Sequence, residues 1–116
     1  MPASTHPNLP LSYNWTLGDP YKPEMDANLV MLGAVVGLSV ISRSLDTPPG
    51  SPANGDRYIV GSAPTGAWSG QAGKVTLWID GSWRFYTPAT GWLAWVQGEN
   101  KLSVHNAGAW SAGVSL

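Results

Sequence analysis

The sequence contains no cysteine and few charged residues. Charged side chains make up 11% of the 116 residues, with six basic and seven acidic residues and a formal net charge of -1. Without cysteine there is no disulfide framework, thiolate nucleophile or cysteine-ligated zinc site. The basic residues are scattered, so they form no footprint for a phosphate backbone and we expect no nucleic-acid partner. A chain of this length predicts one domain around a single core.

The sequence also lacks a long hydrophobic run. The apolar stretch from Leu29 to Ile41 is shorter than the roughly 20 apolar residues that a bilayer core requires. The start, MPASTHPNLPLSYNW, does not show the basic segment followed by an apolar segment of a secretory signal. We therefore expect that the protein does not insert into a membrane. We also expect it to be made in the cytoplasm.

Proline is concentrated at the start of the chain. Residues 1–23 hold five prolines among Ser, Thr and Asn, which predicts an extended docking arm, with Trp15 as a contact to a neighbouring protein. A helix is predicted next, from about Glu24 to Leu38, because Pro23 suits a first helical turn and Glu24 and Asp26 lie near the positive end of the helix dipole.

This helix is apolar all round, which predicts burial on every side. Gly33 and Gly37 are four residues apart and share a helix face. One interpretation is that they let another backbone approach closely; the other is that glycine is tolerated in a buried helix. Residues 24–45 are thus predicted to be an apolar oligomerisation helix and its connector.

The remainder, residues 46–116, is predicted to be a Trp-rich antiparallel β domain. Turn-forming residues fill the segment from Asp46 to Asp56, and short β-rich runs follow, separated by Gly, Asn and Pro. This spacing favours a small β-sandwich or barrel, so the fold class is mainly β with one N-terminal helix. Residues 40–45 are a further candidate strand. The main candidate strands are 57–60, 74–79, 82–87, 92–97, 101–105 and 109–111.

One hairpin is specified closely by its sequence, KVTLWIDGSWRFY. Asp80-Gly81 predicts a two-residue type I′ turn, which sets Trp78 opposite Trp83. One face then carries Trp78, Trp83 and Phe85, and the other is apolar as well. Something must cover both faces. We expect the first face to be a packing and assembly surface and the second to pack against the helix or another subunit.

The other Trp residues have three interpretations: core, subunit interface, or a stacking platform for sugar rings. Trp68 and Trp110 lie in loop or edge positions and are the candidates for glycan or partner contact, although plain surface packing also accounts for them. Trp92 and Trp95 keep all three interpretations, with the core first, the interface second and ligand stacking third.

Four segments resemble an uncharacterised domain family of tailed bacteriophages, prophages and gene transfer agents. They are TPPGSPANGDRYIVG, TGAWSGQAGKV, LWIDGSW and TPATGWLAWV, and the resemblance covers roughly Leu45 to Val96. Upstream, Gly18, Lys22 and Asn28 fit the family's Gly-Gln start with Lys and Asn, but with altered spacing and no Gln. The resemblance implies a virion structural protein, of the kind found in tail fibres or head spikes, and no catalytic residues.

No catalytic, cofactor-binding or metal-binding residue is predicted. His6 and His105 have no partner at the spacing of a catalytic triad or a metal site. The carboxylates lie mostly in turns or at the helix start, where local hydrogen bonding accounts for them. A small hydrolase would need two of them facing each other across a cleft.

The leading hypothesis is a non-enzymatic component of a virion, a trimer or another symmetric oligomer. Its helix would bundle with its copies, its β part would project outward, and its arm would order on capsid, neck or tail proteins. The alternative is a carbohydrate-binding module that stacks exposed Trp rings on sugars of a host surface.

Overall fold

The computed structural model describes residues 4–20 and 22–115. These residues form one α-helix, ten short strands and one 3-10 turn, so the predicted fold class, mainly β with one N-terminal helix, is confirmed. Two compact units divide between Val36 and Gly37. The elements are β1 (Ser4–Thr5), β2 (Ser12–Tyr13), α1 (Lys22–Val35), β3 (Ser39–Val40), β4 (Arg57–Ile59), the 3-10 turn (Gly66–Trp68), β5 (Val75–Ile79), β6 (Ser82–Tyr86), β7 (Leu93–Val96), β8 (Lys101–Asn106), β9 (Ala109–Trp110) and β10 (Val114–Ser115).

The first unit is a small hairpin followed by the helix. β1 and β2 pair antiparallel, with Thr5 opposite Ser12. The Asn28 side chain holds β2 to α1, because its Oδ1 accepts from Ser12 N at 2.9 Å and its Nδ2 donates to Ser12 O at 2.9 Å. The arm predicted for residues 1–23 is therefore folded back where the structure describes it; residues 1–3 and 21 lie outside the described residues.

α1 begins two residues before the predicted start and ends three before the predicted end. Gly37, with φ +59°, lies beyond the helix in the left-handed region that terminates helices. The two glycines therefore do not share a helix face. This chain alone does not bury the helix on every side, because Ala34 is the one fully buried residue of the described helix, whereas Leu29 is 63% exposed.

The second unit contains two sheets. One has the order β10-β8-β7-β3 with β9 on β8, and the other has the order β4-β5-β6. β3 and β7 are parallel, and the other pairs are antiparallel. The candidate strands after residue 56 are confirmed within one residue at each end, and β10 was not predicted. Of the candidate strand at 40–45, the structure keeps Val40 alone, as the end of β3.

The unit boundary also differs from the predicted one at residue 45. The connector after the helix joins the β-rich unit, because β3 pairs with β7 and the next residues hydrogen-bond to β4: Ile41 N donates to Arg57 O at 2.9 Å and Ile59 N donates to Ser42 O at 3.1 Å. Turn residues after Asp46 thus lie inside the second unit and do not separate it from the helix.

The hairpin register is confirmed, with Trp78 opposite Trp83 and Val75 opposite Tyr86. Both faces of the three-stranded sheet are covered within the second unit. On one face, a cluster from both sheets buries Leu38, Val40, Ile59, Val75, Ala94 and Val96. On the other face, Tyr58, Val60 and Trp68 form a second buried cluster against Trp83 and Phe85. The sheet of β10, β8, β7 and β3 therefore covers the face of the β5-β6 hairpin that we expected the helix or another subunit to cover.

Candidate functional site

The second unit contains an open groove of about 500 Å³. The end of β4, the turn before β5 and the β8-β9 turn form its walls, with small residues such as Gly61, Ser62 and Ala72 along much of them. His105 and Trp110 supply its aromatic side chains, and Arg43 is its charged residue. Of the two Trp residues predicted to contact a glycan or partner, Trp110 is the one that lines this groove.

Trp110 is fixed in place by three contacts. Its backbone pairs with His105 across β8 and β9. Its Nε1 donates to Gly73 O at 2.9 Å, and its ring meets the His105 ring edge to face, with centroids 5.1 Å apart and planes at 72°. The partly buried indole is therefore a rigid wall of the groove.

His105 is 8% exposed, and its Nδ1 has no hydrogen-bond partner among the described residues. Its backbone is fully engaged, because its N donates to Trp92 O and its O accepts from Gly91 N. Polar atoms in such positions are usually paired, and this nitrogen is buried without a partner, with less than 1 Å² of accessible surface.

Arg43 is held entirely by the protein. Its Nε and Nη2 donate to the two carboxylate oxygens of Glu99, each at 2.8 Å, and its remaining donors reach Ser103 Oγ, Ser111 O and Ala112 O. The bidentate pair raises the pKa of Arg43 and lowers the pKa of Glu99, in both cases chiefly through the hydrogen bonds between them. Sequence reasoning missed this network because Arg43 lies 56 or more positions from each of its partners.

Trp68 is buried, although its position in a Gly-rich loop suggests a surface residue. Its side chain has 0% exposure, because the 3-10 turn inserts it against the three-stranded sheet. Its ring centroid lies 5.7 Å from that of Tyr58 and 5.2 Å from that of Trp83. The expectation that Trp68 presents a face to a sugar or a partner is therefore wrong in this structure.

The three aromatic residues of the β5-β6 hairpin lie where the register predicts them. Trp78 and Trp83 form an edge-to-face pair with centroids 5.1 Å apart, and Phe85 packs against the cluster of Tyr58, Val60 and Trp68. All three are partly buried. These contacts show that all three residues pack within the chain, whereas a role in assembly stays a prediction.

The predicted assembly residues of the first unit are more open. Gly33 has no atom within 4 Å of where a Cβ would stand, and neither has Gly37. Trp15 is partly buried and its Nε1 has no hydrogen-bond partner among the described residues. No backbone segment of the described residues therefore packs closely against either glycine.

α1 carries an exposed apolar stripe. Met25, Leu29, Gly33 and Val36 recur at spacings of three and four residues, which places them on one face, and all four are exposed. Val36 follows the last helical residue but still donates to Leu32 O. The two charged residues beside the stripe form an ion pair with each other, since Lys22 Nζ lies 2.7 Å from Asp26 Oδ2.

The ionisable side chains of the described residues are spread out and mostly hydrogen-bonded. No group of three or more His, Asp or Glu side chains among them is placed to hold a metal ion. Three carboxylates have local partners, as predicted: Asp19 with Thr16, Asp26 with Lys22 and Asp56 with Ala53. Two others have distant partners, Asp46 with Ala63 and Glu99 with Arg43. No helix within residues 4–20 or 22–115 is long and apolar enough to cross a membrane.

Comparison with known protein families gives a match over most of the chain. The DUF2793 family, described as a protein of unknown function, matches residues 25–111, three quarters of the chain. The chain belongs to this family. The DUF2793 span begins at Met25 in the exposed stripe and includes every residue that lines the groove. No curated protein matches the chain.

Proposed function

We propose that the protein is a non-enzymatic structural component of a phage-type virion and that it assembles as a homo-oligomer, a trimer, through α1. The exposed stripe of Met25, Leu29, Gly33 and Val36 carries this proposal. An apolar surface left open on a helix favours burial against a partner, and contiguous apolar patches on soluble proteins mark interaction sites.

A second copy of α1 is the partner that fits the stripe. The stripe is uncharged along its length, so two copies can face each other without burying an unpaired charge. Gly33 lies at its centre with open space where a side chain would stand, which permits close approach of an equal helix. Lys22 and Asp26 pair with each other and do not require a partner of opposite charge.

The first unit is also the part that we propose to attach to other virion proteins. Five of the eight large apolar side chains that are exposed in the described residues lie in it, although it holds fewer than a third of the residues: Tyr13, Leu17, Met25, Leu29 and Val36. The family resemblance of the sequence supports a place in the virion, among tail-fibre or head-spike components.

Light scattering of the purified protein tests the assembly step. We expect an oligomer at micromolar concentration that Leu29→Glu converts to a monomer, because a charge in the stripe cannot be buried without a partner. Ala27→Glu is the matched control: Ala27 is exposed on the opposite face of α1, so this variant should stay assembled. A monodisperse wild-type monomer at micromolar concentration would exclude the proposal.

A glycine substitution gives an independent test. Gly33→Ala improves helix propensity by about 1 kcal/mol in an isolated chain, because glycine is a poor helix former. If copies meet at Gly33, the added methyl group weakens the oligomer while it stabilises the helix. Analytical ultracentrifugation and circular dichroism of the same samples separate these two effects. Mapping the chain in an assembled particle would then test its place in the virion.

Carbohydrate recognition is a second candidate function, and Trp110 is the observation that favours it. Its indole forms a fixed wall of an open groove, as a stacking platform for a sugar ring requires. Carbohydrate recognition would depend on Trp110 alone of the two predicted contact residues, because Trp68 is buried.

A further inference from the structure

We propose that the outer edge of β6 binds an extended segment of another protein, which adds to the sheet as an antiparallel strand with an acidic side chain opposite Arg84. This edge belongs to the second unit, and no residue of β6 lines the groove beside Trp110. Binding here is therefore an activity beyond the assembly and the sugar recognition proposed above.

The hydrogen bonds of β5 show which side of β6 is already bonded. Trp78 bonds on the β4 side, because its N donates to Asp56 O at 2.9 Å and its O accepts from Gly55 N at 2.7 Å. Backbone groups of an antiparallel strand alternate between its two neighbours, so the next residue, Leu77, bonds on the β6 side with its opposite residue, Arg84. The backbone groups of Arg84 are therefore used within the sheet.

The residues on either side of Arg84 have the opposite orientation. The N–H and C=O groups of Trp83 and Phe85 point away from β5, and β6 is the outermost strand of its sheet. No described residue forms a hydrogen bond with these outward groups. An unpaired edge of this kind can take up one more strand, and main-chain hydrogen bonds then supply the affinity.

The charge of Arg84 selects the added strand. Arg84 is exposed, and it forms no ion pair or side-chain hydrogen bond with the described residues. It lies at the centre of β6, between the two residues whose backbone groups point outward. Opposite charges that face each other on adjacent strands stabilise the pairing, so a carboxylate on the residue opposite Arg84 fits this edge.

A second copy of β6 does not fit. The register that overlaps all five residues of two antiparallel β6 strands sets Trp83 opposite Phe85 and sets the two Arg84 side chains opposite each other. Like charges in that position destabilise a strand pair, and a charge on an edge strand is a common protection against self-pairing.

The acidic residues of a second copy do not fit either. The residues that flank the acid must donate their N–H groups to β6, so neither can be proline, and apolar side chains suit them because they lie on the face of Trp83 and Phe85. Of the seven acidic residues in the sequence, Asp26 is the one with apolar residues other than proline on both sides, and it lies in α1. The segment therefore comes from another protein, with an acidic residue between two apolar ones.

Nuclear magnetic resonance titration of the full chain tests the proposal. The probe is the acetylated and amidated peptide TVEVT, and TVKVT is its charge-reversed control. We expect saturable shifts centred on the amides of Trp83 and Phe85, with slower hydrogen exchange of both amides in the complex, because each gains a bond. TVEVT should bind about three- to tenfold more tightly than TVKVT. Equal affinities would overturn the charge selection, and no shifts at millimolar peptide, or shifts elsewhere, would overturn the site.

A charge reversal in the protein tests the role of Arg84. Arg84→Glu should invert the preference, so that TVKVT binds more tightly than TVEVT. Lys101→Glu changes the net charge by the same amount in another strand, β8, and should keep the wild-type preference. Melting curves verify that both variants are folded. If Arg84→Glu still prefers TVEVT, the carboxylate does not pair with Arg84 and the proposal is wrong.

Methylation of the peptide nitrogens tests the strand geometry. In the antiparallel arrangement the two Val N–H groups donate to Trp83 O and Phe85 O, and the Glu N–H points away. N-methylation of both Val residues should therefore abolish binding, whereas N-methylation of Glu should preserve most of it. The reverse pattern would contradict the antiparallel arrangement. If the protein without peptide shows concentration-dependent protection of the Trp83 and Phe85 amides that persists in Leu29→Glu, a second copy occupies the edge and the proposal fails, whatever the outcome for assembly through α1.

Discussion

The rings of Trp68 and Trp83 meet edge to face, with centroids 5.2 Å apart and planes at 78°. One ring comes from the 3-10 turn and the other from β6, so the contact fastens a Gly-rich loop onto the three-stranded sheet. Tyr58 and Trp78 extend the cluster to either side. The abundance of aromatic residues in this short chain is thus explained largely by packing of a sheet that has apolar residues on both faces.

Truncation of this cluster will lower stability. Trp68→Ala removes a fully buried indole and should cost about 3 to 5 kcal/mol of unfolding free energy; Trp83→Ala, which removes a partly exposed ring, should cost less. The double variant should reveal a coupling of about 0.5 to 1.5 kcal/mol from the edge-to-face contact. Urea denaturation measures all three. Leu93→Ala, at a side chain that is 55% exposed, is the control and should change the unfolding free energy little. If Trp68→Ala unfolds at the same urea concentration as wild type, Trp68 is not buried in the core.

Gly61 predicts a sharp steric effect. A Cβ at this position would collide with Asp46 Oδ1 and would lie 2.7 Å from Leu45 O. Neither atom moves freely, because Leu45 O accepts from Gly61 N at 2.9 Å and Asp46 Oδ1 accepts from Ala63 N at 3.3 Å. Gly61→Ala should therefore destabilise the second unit by about 1 to 3 kcal/mol in thermal or urea melts.

Gly50→Ala is the matched control for this substitution. Gly50 has open space around it and no positive φ, so its alanine variant should melt within about 0.5 kcal/mol of wild type, as surface substitutions usually do. Equal melting of the two variants would contradict the close approach at Gly61.

The pair of Arg43 and Glu99 predicts a pH-dependent contribution. The pKa of Glu99 is lowered from its ordinary value of 4.5, because the Arg43 guanidinium donates hydrogen bonds to its ionised form. The unfolded chain therefore binds this proton more readily, so the contribution is complete above about pH 4.5 and is lost as the pH falls through the lowered value.

Glu99→Gln measures that contribution. At neutral pH the variant should be less stable by about 1 kcal/mol or less, the range for partly exposed pairs. As the pH falls through the lowered pKa of Glu99, the difference between variant and wild type should shrink towards zero. A difference that stays constant from neutral to acid pH would show that the charge of Glu99 is not what stabilises the network.

Asn28 predicts a local effect in the first unit. Its side-chain amide makes both hydrogen bonds with the backbone of Ser12, so Asn28→Ala should free the Ser12 amide and speed its hydrogen exchange by the equivalent of about 1 to 2 kcal/mol. Asn28→Asp keeps the acceptor for the Ser12 N–H and loses the donor, so its exchange should be intermediate. Unchanged exchange in Asn28→Ala would show that β2 is held by other contacts.

The elements that sequence reasoning predicted well are those with local determinants. The Asp80-Gly81 turn fixes the register of β5 and β6 by itself, and the short strands after residue 56 are bounded by Gly, Asn and Pro, so their limits were correct within one residue. Pro23 and Glu24 marked the start of α1 to within two residues. Each of these signals acts over a few positions of the chain.

The elements that were missed depend on distant partners. β3 is a two-residue strand whose parallel pairing with β7 leaves no local pattern. Trp68 occupies a loop in the sequence, yet its burial is decided by Tyr58 and Trp83. The groove brings Gly61, Gly73 and the β8-β9 hairpin together from three separate segments. Of its residues, the sequence predicts a contact role for Trp110, as an aromatic residue near an edge, and none for His105.

The pairing of β3 with β7 also predicts an order of folding in the second unit. β3 is the first strand of that unit, and Ser39 lies opposite Trp95, 56 residues later. The β5-β6 hairpin closes through a two-residue turn and forms within microseconds, whereas a contact of this separation pays loop-closure entropy first and forms late. During synthesis, we therefore expect Leu38 and Val40 to lack their contacts with β7 until residues 93–96 have left the ribosome, so Ile59 and Val75 are the residues of their cluster that can cover them earlier.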